Sequence, residues 1–453
     1  MAKDRRKKYE IDMCNGPVLK KLLIFSIPLI CSGVLQLLFN AVDVIVVGRF
    51  AGDNSLAAVG ATTSLINLLV NLFVGLSIGA NVLVARFYGA KQQKELDETV
   101  HTAIMLSIVG GILLTIIGVA FAPSFLKWMA TPANILDLAV TYLRVYFIGM
   151  IPMLVYNYGA AILRAVGDTQ RPLYYLIAAG VINVSLNLFF VIVLHWGVFG
   201  VGLATTLSQV VSAILVTRCL LKGTGAIKLV PKELKIYKDK LIRIMKIGVP
   251  AGLQGILFSI SNVIIQSSIN SFGEIVVAGN SAAANIEGFI YVAMNSFYQA
   301  NISFTSQNYG AGKYDRINKI LYNAFGCVTV LGVAMGVACY YAGPQLLAIY
   351  TDNPAVIEAG MVRFSYIALP YVLCGIMEVI VGSMRGLGYV VAPMIVSLLG
   401  ACVLRLIWIG TIFQVEQFHT IGMLYLIYPI SWVITTVAHI ITFIIIRKKM
   451  NKN

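Results

Sequence analysis

The 453-residue sequence predicts an all-α polytopic membrane protein, with twelve transmembrane helices in two parallel six-helix repeats around a central cavity. Three observations lead there. Composition is the first: 59% of residues are hydrophobic, 12% are charged and the mean hydropathy is +0.85, whereas soluble domains carry about 25% charged residues. The second is the recurrence of apolar runs of roughly 20 residues or more, the length that spans a bilayer as a helix. The third is that the chain is written twice. Leu163-Arg164-Ala-Val-Gly167-Asp-Thr-Gln-Arg-Pro172 returns as Met384-Arg385-Gly-Leu-Gly388-Tyr-Val-Val-Ala-Pro393, with Arg, Gly and Pro in register at a spacing of 221 residues. The same shift maps Tyr88-Gly89-Ala90 onto Tyr309-Gly310-Ala311 and Pro123 onto Pro344, and a shift of 222 maps Pro28 onto Pro250 and Asn40 onto Asn262. Self-similarity of this length means two copies of one structural unit. Duplicated halves of membrane proteins commonly bind cargo between them and rock against each other.

The elements follow in order. A basic tail over 1–19 precedes the first span, at 20–48. Basic-then-apolar openings mimic signal peptides, but this apolar run is too long and lacks a small-residue cleavage site, so an uncleaved first helix is expected. The second span, 56–85, contains Gly75-Leu-Ser77-Ile-Gly79. That pattern matches the GxSxG elbow of hydrolases, which needs a strand-to-helix turn and an acid–base pair. In an apolar helical run the same residues are a GxxxG packing face, the preferred reading. Spans at 96–121, 136–163, 173–196 and 198–221 complete the first lobe, 20–221. A lysine-rich linker, 222–241, leads to the second lobe, 242–446, with spans at 242–270, 276–306, 317–342, 356–384, 392–413 and 421–446, and then a tail over 447–453. Several runs exceed a flat span, so tilt or kinks are expected. Pro28, Pro152, Pro250 and Pro370 lie inside such runs, where proline frees a carbonyl and bends the helix. Six spans per copy start and end each copy on the same side, which makes the repeats parallel about an axis along the membrane normal.

The net charge of +15 could point to nucleic acid, but its placement points to a membrane. Of the 34 Lys and Arg residues, 29 fall on the side of the N-terminus, only Arg49 and Lys127 on the other, and Arg144, Arg363 and Arg405 inside helical runs. This asymmetry places both termini in the cytoplasm and sets basic patches against anionic lipid head groups, so lipids are expected contacts and nucleic acid is not. The cell membrane is the expected location, and no obligate protein partner is evident. Seven scattered cysteines without a CxxC suggest neither disulfide nor metal. His101, His195, His419 and His439 are isolated and read as packing or interfacial residues. Neither HExxH nor a phosphate loop occurs. No enzyme activity, no cofactor and no ATP hydrolysis are expected, so any pumping must draw on an ion gradient or a partner.

Polar side chains at membrane depth are the functional candidates, because they are expensive there and usually face a cavity or a partner. Ser32, Gln36, Asn40 and Asp43 recur at helical spacing in the first span and form one stripe. Asp43 reads as a cation or proton site, or else as a buried structural acid. Asn183, Asn187 and Thr205, in spans five and six, lie at similar depth. Oxygen ligands suit a hard cation such as sodium, while asparagines alone commonly tie transmembrane helices together. In the second copy Asp43 aligns with Ile265, and the polar residues sit elsewhere: Glu287, Tyr291, Asn295 and Gln299 every four residues in span eight, Glu378 in span ten, Arg405 in span eleven, and Asn262, Gln266 and Asn270 on one face of span seven. The span-eight stripe could line a cargo cavity. Arg405 is expected to neutralise one glutamate, by depth Glu287, with Glu378 the alternative; a purely structural ion pair is the competing reading. Arg164 and Arg385, at matching inner helix ends, suit helix capping or a loop clamp.

Asn40-Ala-Val-Asp43-Val-Ile-Val-Val-Gly48-Arg-Phe, Leu56-Ala-Ala-Val-Gly60, the duplicated Arg164/Arg385 loops and Gly200-Val-Gly-Leu-Ala-Thr205 resemble the multidrug and toxic compound extrusion (MATE) family. The resemblance runs from about 20 to 446 and is closest to the branch resembling DNA-damage-inducible protein F. It implies two six-helix bundles working by alternating access. It also implies export of bulky, often cationic and aromatic compounds in exchange for sodium or protons. The family's N-lobe cation site falls on Asp43, Asn183, Asn187 and Thr205, with Asn187 standing where an Asp is usual, one carboxylate fewer. The helix-seven Glu of another branch corresponds to Phe258, so that site is expected to be absent. A flippase for lipid-linked glycans in the same superfamily is the alternative; such relatives often have fourteen helices and a cationic cavity.

Overall fold

A computed structural model describes residues 9–223 and 226–450. Among the described residues ten helices are long and apolar enough to cross a membrane: α1 (Val18–Phe50), α2 (Asp53–Gly89), α3 (Gln93–Trp128), α5 (Gln170–Val193), α6 (Gly197–Lys222), α7 (Lys238–Asn270), α8 (Glu274–Gly310), α9 (Tyr314–Tyr341), α11 (Val391–Gln414) and α12 (Ile421–Met450). Two bent pairs complete the series, α4 (Ala133–Ile148 and Met150–Ala165, bent by 46°) and α10 (Pro354–Ala368 and Tyr371–Gly386, bent by 41°). The twelve expected spans are thus present among the described residues. Their helices mostly run beyond the apolar cores that mark them in the sequence.

Two compact units divide the chain. The first contains Ile27–Gly252, and the second contains Asn15–Ser26 and Leu253 onward. The same packing scheme is used in both. In the first unit α2 packs on α3 and α4, α4 on α3 and α6, and α5 on α6; in the second α8 packs on α9 and α10, α10 on α9 and α12, and α11 on α12. The duplication also reaches single residues. Gly167 and Gly388, 221 positions apart, both take a positive φ, +96° and +90°, in the loops that follow α4 and α10, a conformation that costs glycine little.

The break in α4 shows how a membrane helix is bent without exposing backbone. It falls at Gly149, not at the proline the sequence suggests, and Pro152 sits in the first turn of the following half, where a missing N–H leaves nothing unpaired. At Gly149 the N–H turns to the Tyr146 carbonyl, 3.0 Å away. The carbonyls of Val145 and Phe147 accept instead from the hydroxyls of Thr206 (3.0 Å) and Thr115 (2.7 Å). Polar groups without water must find protein partners; here neighbouring helices supply them. In α10 the break falls at Pro370.

Small residues set the closest approach in the first unit. A Cβ on Gly75 would collide with the backbone of Gly252, and one on Gly79 with the carbonyl of Ile244. The GxxxG face is therefore the seam between α2 and the first half of α7, as the packing reading expects. The linker lies along α3. Val230 N–H donates to His101 Nε2 (3.0 Å), Tyr237 N–H to Thr102 Oγ1 (3.1 Å), and Lys240 pairs with Glu95 (2.6 Å) and Glu98 (3.1 Å). His101 is thus a packing residue that fastens the linker.

Candidate functional site

In the first unit three helices bring one hydrogen-bonded row together. Asn187 Nδ2, on α5, donates to Asp43 Oδ1 of α1 and, at 3.3 Å, to Asn183 Oδ1 one turn earlier. Asn183 Nδ2 donates to Thr205 Oγ1 of α6 (3.4 Å), whose hydroxyl donates back to the Val201 carbonyl (3.0 Å). Asn183 and Asn187 are 5% and 0% exposed. Tyr142 and Tyr146, in the first half of α4, are close enough to act electrostatically on Asp43. The row joins all four residues that the sequence proposes for ion coupling.

Local helix geometry positions the row. Just beyond Asp43 and Asn187 the helices widen into π turns, Val47–Ala51 at the end of α1 and Phe189–Val193 in α5, and the two turns pack against each other. Single π turns inside α-helices shift the register of the residues beyond them, frequently at functional sites. Asn187 carries a further signal. Both of its amide hydrogens are used, but its Oδ1 is buried with no partner among the described residues. A buried acceptor without a donor is rare. An oxygen beside a carboxylate, two more side-chain oxygens and a tyrosine pair suits either a bound cation or a proton carried by Asp43. Gln36 and Asn40, on the same helix, are exposed.

The second unit holds a different polar cluster. Arg363 of α10 grips Glu287 of α8 with Nε at 3.1–3.2 Å and Nη2 at 2.7 Å. Its Nη1 donates to Asn280 Oδ1 (2.6 Å), which also accepts from Tyr425 Oη (3.0 Å). Asn280 Nδ2 donates to Gln266 of α7 (3.1 Å), and Gln266 to Asn270 (2.9 Å). The expected partner of Glu287 was therefore wrong. Arg405 forms no ion pair among the described residues; its Nε donates to Ser431 (2.9 Å) and its guanidinium lies over Tyr428 (4.3 Å). Arg405 faces α12 rather than α8, so it cannot reach Glu287. The missed residue is Arg363, whose only sequence signal is an arginine inside an apolar run.

Below Glu287 the stripe is a ladder: Gln299 donates to Asn295 (2.9 Å) and Asn295 to Tyr291 Oη (3.5 Å). Glu378, half-buried on α10, has no hydrogen bond or ion pair among the described residues and interacts electrostatically with Tyr291 and Arg385. Arg385 itself binds Tyr298 Oη and Gln254 Oε1 (2.8 Å), holding the end of α10 to α8 and α7.

Two duplicated bundles of membrane-spanning helices, each with polar rows inside, define a multi-pass membrane transporter fold. The family model MatE matches residues 28–189 and 250–409, and the chain belongs to that family of transporters. It is similar to the probable multidrug resistance protein YoeA of Bacillus subtilis (27% identity, 84% of each chain) and to YpnP of the same organism (26%, covering 87% of this chain and 88% of that one). The multidrug export protein MepA of Staphylococcus aureus is 20% identical over 87% of this chain and 88% of its own. Among solved structures, a MATE in the bent conformation superposes with a TM-score of 0.87 over 97% of both chains at 23% identity. An outward-facing multidrug resistance MATE family transporter gives 0.88, again over 97% of each chain and at 23% identity.

Proposed function

We propose that this protein exports small organic compounds, often cationic and aromatic, by alternating access, in exchange for sodium or protons that act on Asp43. The observation that carries the reading is the row Asp43–Asn187–Asn183–Thr205, with its idle Asn187 oxygen. Among the described carboxylates of the first unit, Asp43 lies farthest from a helix end. Ionised, it is held by the Asn187 amide. Protonated, its hydroxyl has the Asn187 carbonyl as an acceptor once that amide turns. A sodium ion would instead draw on the Asp43 carboxylate and the oxygens of Asn183, Asn187 and Thr205. Either event changes the charge at the junction of α1, α5 and α6, and with it the packing of the two π turns.

For cargo, Glu378 with Tyr291 offers a negative group beside an aromatic face, which favours organic cations. Gln36, Asn40, Asn295 and Gln299 add adaptable polar contacts. In support stand the relatives' names, multidrug resistance and multidrug export proteins. The same names weigh against a lipid-glycan flippase. Glu287 and Arg405 are assigned to structure, since each is buried on its own partners.

The test is efflux of a fluorescent organic cation from preloaded, drug-sensitive bacteria expressing wild type or Asp43→Asn, with sodium present or absent and the proton gradient intact or collapsed. Wild type should need one gradient, which names the ion. Asp43→Asn should be inserted normally and lose at least about tenfold in rate, the loss expected when one charged hydrogen-bonding site is removed. Undiminished efflux by Asp43→Asn would sink the coupling site.

A further inference from the structure

We propose that a groove between α9, α10 and α12, at the basic end of the second unit, is a binding site for an anionic phospholipid. The phosphate sits on Arg447 and Lys448, and an acyl chain lies along the apolar floor. The groove encloses about 320 Å3. Leu321 and Phe325 of α9, Ile380 of α10 and Phe443 of α12 form its walls. Tyr322, at its mouth, is 67% exposed, so the groove opens sideways, toward lipid.

The cations select the occupant. Arg447 Nη2 donates to the Tyr314 carbonyl (3.1 Å), but Nε and Nη1 are buried and have no acceptor among the described residues. Asp315 is near enough to act on Arg447 electrostatically, yet takes neither idle donor. A planar guanidinium fork with two free N–H groups matches the oxygens of a phosphate. Lys448 lies beside it on the same rim. An organic cation is repelled from this rim, and free phosphate leaves the apolar walls wet. A phosphate carried on acyl chains satisfies both halves of the site. The position suits it too, since Arg447 follows the long apolar run of α12, at head-group depth.

The experiment uses the full-length protein in neutral detergent, with native mass spectrometry and thermal unfolding as readouts. Phosphatidylglycerol, phosphatidylcholine and inorganic phosphate are added separately. Phosphatidylglycerol should bind and raise the unfolding midpoint, and the other two should not. Arg447→Gln should weaken that binding about tenfold and Lys448→Gln about fivefold. Lys449→Gln, on the same helix but outside the groove, should change it less than twofold. Equal binding of phosphatidylcholine, reproduction of the midpoint shift by phosphate, or an equal loss in Lys449→Gln overturns the proposal. Should Arg447→Gln fail to fold, unchanged binding by Lys448→Gln overturns it alone.

Discussion

Asp43 and Glu287 are both carboxylates in apolar helices, and their surroundings differ in kind. Among the described residues Asp43 accepts from a neutral amide, whereas Glu287 meets a guanidinium through three hydrogen bonds. Replacing one partner of a buried pair leaves an unpaired charge and costs ~3–5 kcal/mol, whereas replacing both with apolar residues is often near neutral. Arg363→Met alone should therefore lower the unfolding midpoint in detergent sharply, and Glu287→Met with Arg363→Met should recover most of the loss. A double variant no better than the single would show that Asn280 and Tyr425, not the charge pair, dominate the cluster. That Asp43, Asn183, Asn187 and Thr205 lie together was legible in the sequence, because residue type and similar membrane depth group them. Arg363 was not, because its partner is 76 residues away and an apolar run does not say which face of α10 meets α8. The idle Asn187 oxygen is legible only in the fold, since it depends on where both amide hydrogens go.

At the level of elements, apolar length gives the count of spans and leaves their bends open. The sequence points to Pro152 as a kink, yet α4 breaks at Gly149 because Thr206 and Thr115 stand ready to take the freed carbonyls. Proline has a missing donor wherever it sits; only neighbouring helices decide where carbonyls can be spared. The α2–α7 seam, in contrast, is readable, since glycines four apart are useful only where backbones touch. Gly79→Val should disrupt it, because a Cβ there meets the Ile244 carbonyl and the added methyls go further. Overpacking of this kind typically costs ~1–3 kcal/mol or more. Gly60→Val on the same helix, with nothing within 4 Å of its Cβ, is the control. Folded yield measured by size-exclusion fluorescence should fall for Gly79→Val and hold for Gly60→Val. Equal yields would mean that the seam tolerates separation.

For the molecule as a whole, duplication was the most legible feature. Repeated motifs at a shift of 221 correspond to repeated packing pairs, and even to the matching left-handed glycines. The repeat does not extend to chemistry: the first unit carries an acid among amides, and the second an ion pair and a separate Glu378. Orientation is expected from a term that no helix contact contains, the charge on the loops. With 29 basic residues on one side and two on the other, insertion with the basic side retained in the cytoplasm is strongly favoured. Fluorescent-protein fusions at the C-terminus should then be bright, and alkaline phosphatase fusions there inactive. Phosphatase fused after Met129, in the loop between α3 and α4, should be active. Moving charge tests the cause. Replacing Lys222, Lys228, Lys232, Lys235 and Lys238 with Gln removes five charges from the basic side and leaves 24 against two, so the orientation should hold. A flip on that change alone would mean that the linker, rather than the summed asymmetry, sets the topology.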